Sequence, residues 1–195
     1  MKIQPDHNYL YSIAENQAGY FTANQAHSAD FSKERLYYYV TTGKFSRVHR
    51  GIYRLVQFSG SPFEDLFVAW LKTGWDSVIS HESALYLNNL SDILPSEVHV
   101  IMPRTGSRRR KGIRLYTNRQ NPDEITHREG LPVTTADRTI IDVAASGLGE
   151  EQIRKAIHKG IRQGLISKDK IRSMAFHRRT DVLCIIGNIL DSEIK

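Results

Sequence analysis

Cysteine is almost absent from this chain: 195 residues hold one, Cys184. A single cysteine excludes an internal disulfide and fits a reducing compartment, so a cytoplasmic protein is expected. Cys184 sits in the apolar run from Val182 to Ile186 and reads as a small buried residue, not a nucleophile. Long hydrophobic runs are missing as well. None approaches the roughly 20 residues that a membrane helix needs, and the opening MKIQPDHNYL has no signal-peptide core. Internal repeats and low-complexity segments are absent too.

Catalytic and metal-binding patterns are equally scarce. A metal-dependent nuclease core needs an acidic residue and then Asp/Glu-x-Lys on a neighbouring strand, so that carboxylates hold Mg²⁺ while the lysine orients water. Here Glu97 is followed by His99 instead, and no strand shows the pattern. A nucleotidyltransferase needs a Gly-Ser turn and then paired carboxylates. Gly60-Ser61 is followed by Glu64 and Asp65, which are adjacent and diverge on a helix. No glycine-rich phosphate loop ends in Lys-Ser or Lys-Thr, and the eight histidines show no Cys/His zinc spacing. His81, at the start of a helix, is expected to cap or pack. The sequence therefore predicts no enzyme, no cofactor and no metal.

What is present is concentrated in residues 19–55, GYFTANQAHSADFSKERLYYYVTTGKFSRVHRGIYRL. Thr22 and Gln25 fit a capping box opening a helix that runs to about Ala29. Asp30 and Phe31 make a turn, and Ser32 can cap a second helix that stops at Gly43. In that helix Leu36, Tyr39 and Val40 share the face that packs on the first helix, which leaves Lys33, Glu34, Arg35, Tyr37, Tyr38 and Thr41 facing out. From Phe45 to Leu55 the pattern alternates. Arg47, His49 or Arg50, and Arg54 can point outward, Val48, Ile52 and Leu55 inward, and Gly51 lies near a hairpin turn. Helix, turn, helix and basic hairpin form a winged helix-turn-helix, whose second helix suits the major groove of double-stranded DNA. Residues 32–55 carry six Lys or Arg against one Glu.

The net charge of +6 is unevenly spread: residues 1–58 carry +3, 59–103 carry −5, 104–119 carry +7 and 120–195 carry +1. Such alternation suggests surfaces with different partners. A first helix is expected over residues 8–17, and a domain boundary at QFSGSP, near Gln57 to Pro62. The sequence thus divides into a winged helix over residues 1–58 and a mixed α/β domain over 59–195, an α+β protein. In the second part helices are expected at 63–73, 81–90, 136–146, 150–165 and 168–189, the last broken near Phe176 to Thr180. Strands are expected at 77–80, 97–102 and 112–117, with one or two more around Gly130. The stretch RTGSRRRKGIR, Arg104 to Arg114, reads as a long hairpin loop. Arg108, Arg109, Arg110 and Lys111 on it could reach a phosphate backbone or an acidic protein surface.

Three stretches resemble the antitoxins of the abortive-infection type E systems, the AbiEi-like family of type IV toxin–antitoxin systems, a class of phage defence. They are GYFTANQA with GKFSRVHRGIYRL, ISHESALYLNNLSDILPSEVHVIMP, and GLPVTTADRTIIDVA. The resemblance implies a winged helix that binds operator DNA and represses its own operon. Paired sites and self-association on the DNA are expected because one small winged helix buries too little surface for high specificity. It implies a C-terminal domain that opposes a nucleotidyltransferase toxin encoded alongside. Carried over by position, the DNA-reading residues are Lys33, Arg35, Tyr37, Tyr38, Arg47, His49 and Arg50. The matched Ser83, Arg138, Thr139 and Asp142 read as fold-holding, with Arg138 and Asp142 spaced to pair on one helix face. The alternative is a winged-helix regulator whose second domain binds an effector or dimerises, with no toxin partner.

Overall fold

A computed structural model describes residues 4–93, 95–103, 110–118, 121–178 and 180–192. The chain divides into two compact units: residues 1–75 with 129–131, and residues 76–128 with 132–195. The expected linker at 57–62 therefore falls inside the first unit, and the helix that follows it is part of that unit.

The first unit opens with α1 (His7–Glu15), capped by the Asp6 side chain, which accepts from Tyr9 N at 2.9 Å. A short strand β1 (Tyr20–Thr22) leads into α2 (Ala23–Ser28). Then come α3 (Lys33–Thr41), β2 (Phe45–His49), β3 (Ile52–Leu55) and α4 (Glu64–Thr73). The hairpin β2–β3 was legible in the sequence, but the third strand was not. β1 pairs antiparallel with β3, placing Tyr20 opposite Arg54, so the sheet order is β1-β3-β2. Leu10, Ala14, Phe21, Ala26, Phe31, Leu36, Phe45 and Leu55 form the core under this sheet.

The second unit is a five-stranded sheet with helices, in strand order β6-β5-β4-β8-β7. Its elements run β4 (Val78–Ile79), α5 (His81–Leu87), β5 (Val98–Ile101), β6 (Ile113–Tyr116), β7 (Ile125–Arg128), β8 (Leu131–Thr134), α6 (Ala136–Ser146), α7 (Glu150–Arg162), α8 (Lys168–Phe176) and α9 (Thr180–Asp191). β7 and β8 join through Glu129 and Gly130, both at positive φ, as the favoured two-residue hairpin turn requires. The break expected within 168–189 falls between α8 and α9. Apolar residues of α5 to α9, among them Ile140, Ile157, Ile171 and Ile186, make one core.

Two expectations are corrected in this unit. β5 and β6 pair parallel, Val98 with Ile113 and Ile101 with Tyr116. Parallel neighbours are not joined as a hairpin, so the hairpin loop expected over Arg104 to Arg114 is overturned; residues 104–109 themselves lie outside the described residues. Cys184 is exposed, not buried. Val182, Ile186, Ile189 and Leu190 take the buried stripe of α9, and a position two residues after Val182 falls on the far side of the helix.

Candidate nucleic-acid interface

The helix pair is set by local hydrogen bonds. Thr22 N donates to Gln25 Oε1 at 2.7 Å and Gln25 N donates to Thr22 Oγ1 at 3.2 Å, the reciprocal capping box that opens α2. Asp30 adopts φ +62 in the turn, a conformation its short polar side chain tolerates. Phe31 N then donates back to Ala26 O at 2.9 Å and its ring enters the core. Ser32 Oγ caps α3 by accepting from Arg35 N at 3.3 Å. Leu36 is buried, with Tyr39 and Val40 packed beside it, so α3 commits one stripe to the interior.

The opposite side of α3 is left to solvent. Lys33, Tyr37, Tyr38 and Thr41 are exposed, the two tyrosine rings by 73% and 58%, while Arg35 is half-buried. Hydrophobic rings this exposed on a helix whose other face is well packed are not core residues. Arg47, His49 and Arg50 are exposed at the outer end of the hairpin, where Gly51 makes the turn at φ +76. All seven positions therefore carry side chains that reach solvent, on one helix and the hairpin that follows it.

Arg54 departs from its expected outward placement. β3 is the central strand, so Arg54 has neighbours on both sides: Tyr20 on β1 and Ser46 on β2. Its guanidinium lies 6.0 Å from the centre of the Tyr20 ring, and Nε and Nη1 are buried without a hydrogen-bond partner. Gly60 permits this, since a Cβ there would stand 2.8 Å from Arg54 Nη1. Tyr20 in turn donates from its hydroxyl to Glu64 Oε2 at 2.9 Å, accepts from Ser61 N at 3.3 Å, and stacks on Phe67 at 5.0 Å. At the other end of α4, Lys72 Nζ lies 3.1 Å from His49 Nε2. Burial pulls the Lys72 ammonium below its usual pKa, with Asp65 opposing.

In the basic run, Arg108 and Arg109 lie outside the described residues. Arg110 is half-buried, with Nη1 3.6 Å from Met102 Sδ, and Lys111 is exposed. Both line a surface cavity of about 690 Å³ together with Glu97 and Arg114.

The remaining polar residues singled out from the sequence are buried in the interior of the second unit. Arg138 Nε donates to Asp142 Oδ1 at 2.9 Å, and Arg138 Nη1 to Glu124, a third member the sequence spacing did not reveal. Ser83 Oγ accepts from His99 N at 2.9 Å. Thr139 Oγ1 donates to Thr135 O at 2.8 Å and so accepts from Thr134 Oγ1 at 2.7 Å. Asp137 accepts from Ser167 N and from Lys170 Nζ, both at 3.0 Å. His81 packs face to face on Tyr116, with ring centres 3.6 Å apart, and its Nδ1 lies 3.0 Å from Ser80 Oγ. Burial above all holds His81 down to a pKa of about 3 and His99 to about 4, so both rings are neutral near pH 7. Burial pushes the Asp142 carboxyl up, against the pull of Arg138.

Among the described residues, no group of three or more His, Cys, Asp or Glu could hold a metal ion, and no helix is long and apolar enough to cross a membrane. No curated protein matches the chain. A family model does: residues 8–56 match the family described as transcriptional regulator, AbiEi antitoxin. The matched segment holds nearly all of α1 and everything from β1 to the end of β3, whereas the second and third stretches of resemblance lie beyond it. The likeness to the AbiEi antitoxin regulators thus lies in the first unit.

Proposed function

We propose that the protein is an antitoxin that doubles as a repressor. The first unit binds double-stranded operator DNA in its own upstream region, with α3 in the major groove and the β2–β3 hairpin as a wing against the backbone. Lys33, Arg35, Arg47 and Arg50 neutralise phosphates, Tyr37 and Tyr38 contact bases or sugars, and His49 donates to a phosphate. Arg108, Arg109, Arg110 and Lys111 add sequence-independent phosphate contacts from the second unit. That unit neutralises a nucleotidyltransferase toxin encoded beside it. One small recognition unit buries too little surface for high specificity, so paired sites and self-association on the DNA complete the reading.

The observation that carries this proposal is the pair of tyrosines standing out from α3 beside Lys33, with Arg47, His49 and Arg50 exposed on the adjoining hairpin. The match of residues 8–56 supports it. The test is a pair of measurements on the full chain: binding to its upstream DNA, and growth rescue on co-expression with the neighbouring nucleotidyltransferase gene. Binding without rescue leaves a regulator that is not an antitoxin. Failure of both ends the proposal.

A regulator with an effector-binding second unit is the competing reading. It is favoured by a cavity of about 470 Å³ whose lining combines Leu85, Leu90 and Leu148 with Lys155, Lys159 and Arg162. An operator affinity that shifts with a small molecule, in a strain without the toxin gene, would establish it.

A further inference from the structure

Helix α4 lies outside the segment matched by the regulator family, yet it is tied to the DNA-facing sheet at both ends. Near its start, Glu64 and Phe67 hold Tyr20 on β1, through the 2.9 Å hydrogen bond and the stacked ring. Near its end, Lys72 meets His49 on β2 at 3.1 Å. The spacing agrees with a helix lying across the sheet. Glu64 to Lys72 is about 12 Å of helix, and β1 to β2 across β3 is about 10 Å. Lys72 is also the only Lys or Arg between residues 59 and 103, a segment of net charge −5. Its one cation is held at the tip of the hairpin.

We propose that Lys72 is a further phosphate-contacting residue, and that α4 braces the wing and positions His49 for the same backbone. This rests on the reading of the first unit as a DNA-binding module. An ammonium has three donors and no acceptor, so Lys72 donates to His49 Nε2. His49 Nε2 then carries no hydrogen, and Nδ1–H is the donor the ring has left for a phosphate oxygen. Lys72 uses one donor on His49 and keeps two. The bond thus fixes the tautomer of His49 and adds a positive charge beside it, from a helix that the sequence assigned to the other domain.

The test uses the full chain and operator affinity measured across a salt series. Lys72→Gln should lower the salt slope by about one unit, which at 0.15 M salt is a loss of about sevenfold relative to the 1 M extrapolation. Lys72→Arg should keep the wild-type slope. Both variants should match wild type in thermal midpoint. An unchanged slope in Lys72→Gln overturns the proposal, even if affinity falls, because a merely structural brace lowers binding equally at every salt concentration. A wild-type chain that does not bind its upstream DNA at all overturns the underlying reading, and this inference with it.

Discussion

The exposed face of α3 and the buried polar centre around Arg138 were both marked by short motifs, and they use polar residues in opposite ways. On α3 and the hairpin, Lys33, Tyr37, Tyr38, Arg47 and Arg50 reach solvent. In the second unit, Arg138 is 1% exposed and spends its guanidinium on Asp142 and Glu124, while Ser83, Thr139 and Asp137 each hold a neighbouring element. Charge at a surface contributes little to stability and stays available to a partner. Charge in an interior depends on its counter-charge, and removing one partner of a buried pair is costly. A motif therefore does not say which use it serves; burial and hydrogen-bond partners do.

If that contrast is right, removing Arg138 should cost the most. Arg138→Ala leaves Asp142 and Glu124 without their buried counter-ion, and a loss of about 3–5 kcal/mol is expected from breaking such a cluster. Urea unfolding of the full chain measures it. A loss below about 1 kcal/mol would mean the centre is wet and that its ion pairs behave like surface ones.

Acidification probes the same centre with a smaller effect. His81 and His99 are held neutral in the fold, with pKa values of about 3 and 4. In the unfolded chain they titrate near pH 6.5. Below about pH 6.5 the unfolded state thus binds protons that the native state refuses, so stability falls as pH drops toward about 4, and is fully present above 6.5. Denaturation midpoints at pH 7, 6, 5 and 4 should decline, and His81→Asn should flatten the decline. Asparagine tolerates the positive φ of +50 at this position. An equal slope in wild type and variant would remove His81 from the account.

The smallest change in stability is expected from the basic run. Replacing Arg108, Arg109, Arg110 and Lys111 by Ser should leave the unfolding midpoint nearly unchanged, within about 0.5 kcal/mol. DNA binding should weaken alike on operator and unrelated sequences, as loss of backbone contacts does. If operator binding survives and growth rescue fails, the run faces the toxin instead. If neither changes, it has no partner in either function.

Most of the local structure was legible in the sequence because its causes are local. Thr22 with Gln25, Ser32, Gly43 and the break after Phe176 all act within a few residues, and each falls where the pattern put it. The Arg138–Asp142 pair was legible for the same reason, being one helical turn apart. What was missed depends on distant partners. β1 is three residues long and exists because β3 pairs with it. The parallel register of β5 and β6 leaves no trace in their own alternation. Glu124 joins Arg138 from outside the helix, and the Arg54 guanidinium is covered by Tyr20 and by the chain at Gly60, both on its own face of the sheet. The placement of Lys72 beside His49 likewise needed the folded chain, since a polar Gly/Pro stretch between them reads as a linker.

The central claim is that the face of α3 reads the chain's own upstream DNA. It is tested most directly by measuring affinity for that DNA, and for a shuffled sequence of equal length, across a salt series, with wild type and with Lys33→Ala combined with Arg35→Ala. The account predicts that wild type prefers the upstream DNA at every salt concentration. It predicts that the double variant binds more weakly, with a slope lower by about two units. A double variant that binds the upstream DNA as tightly as wild type, with the same slope, would contradict it.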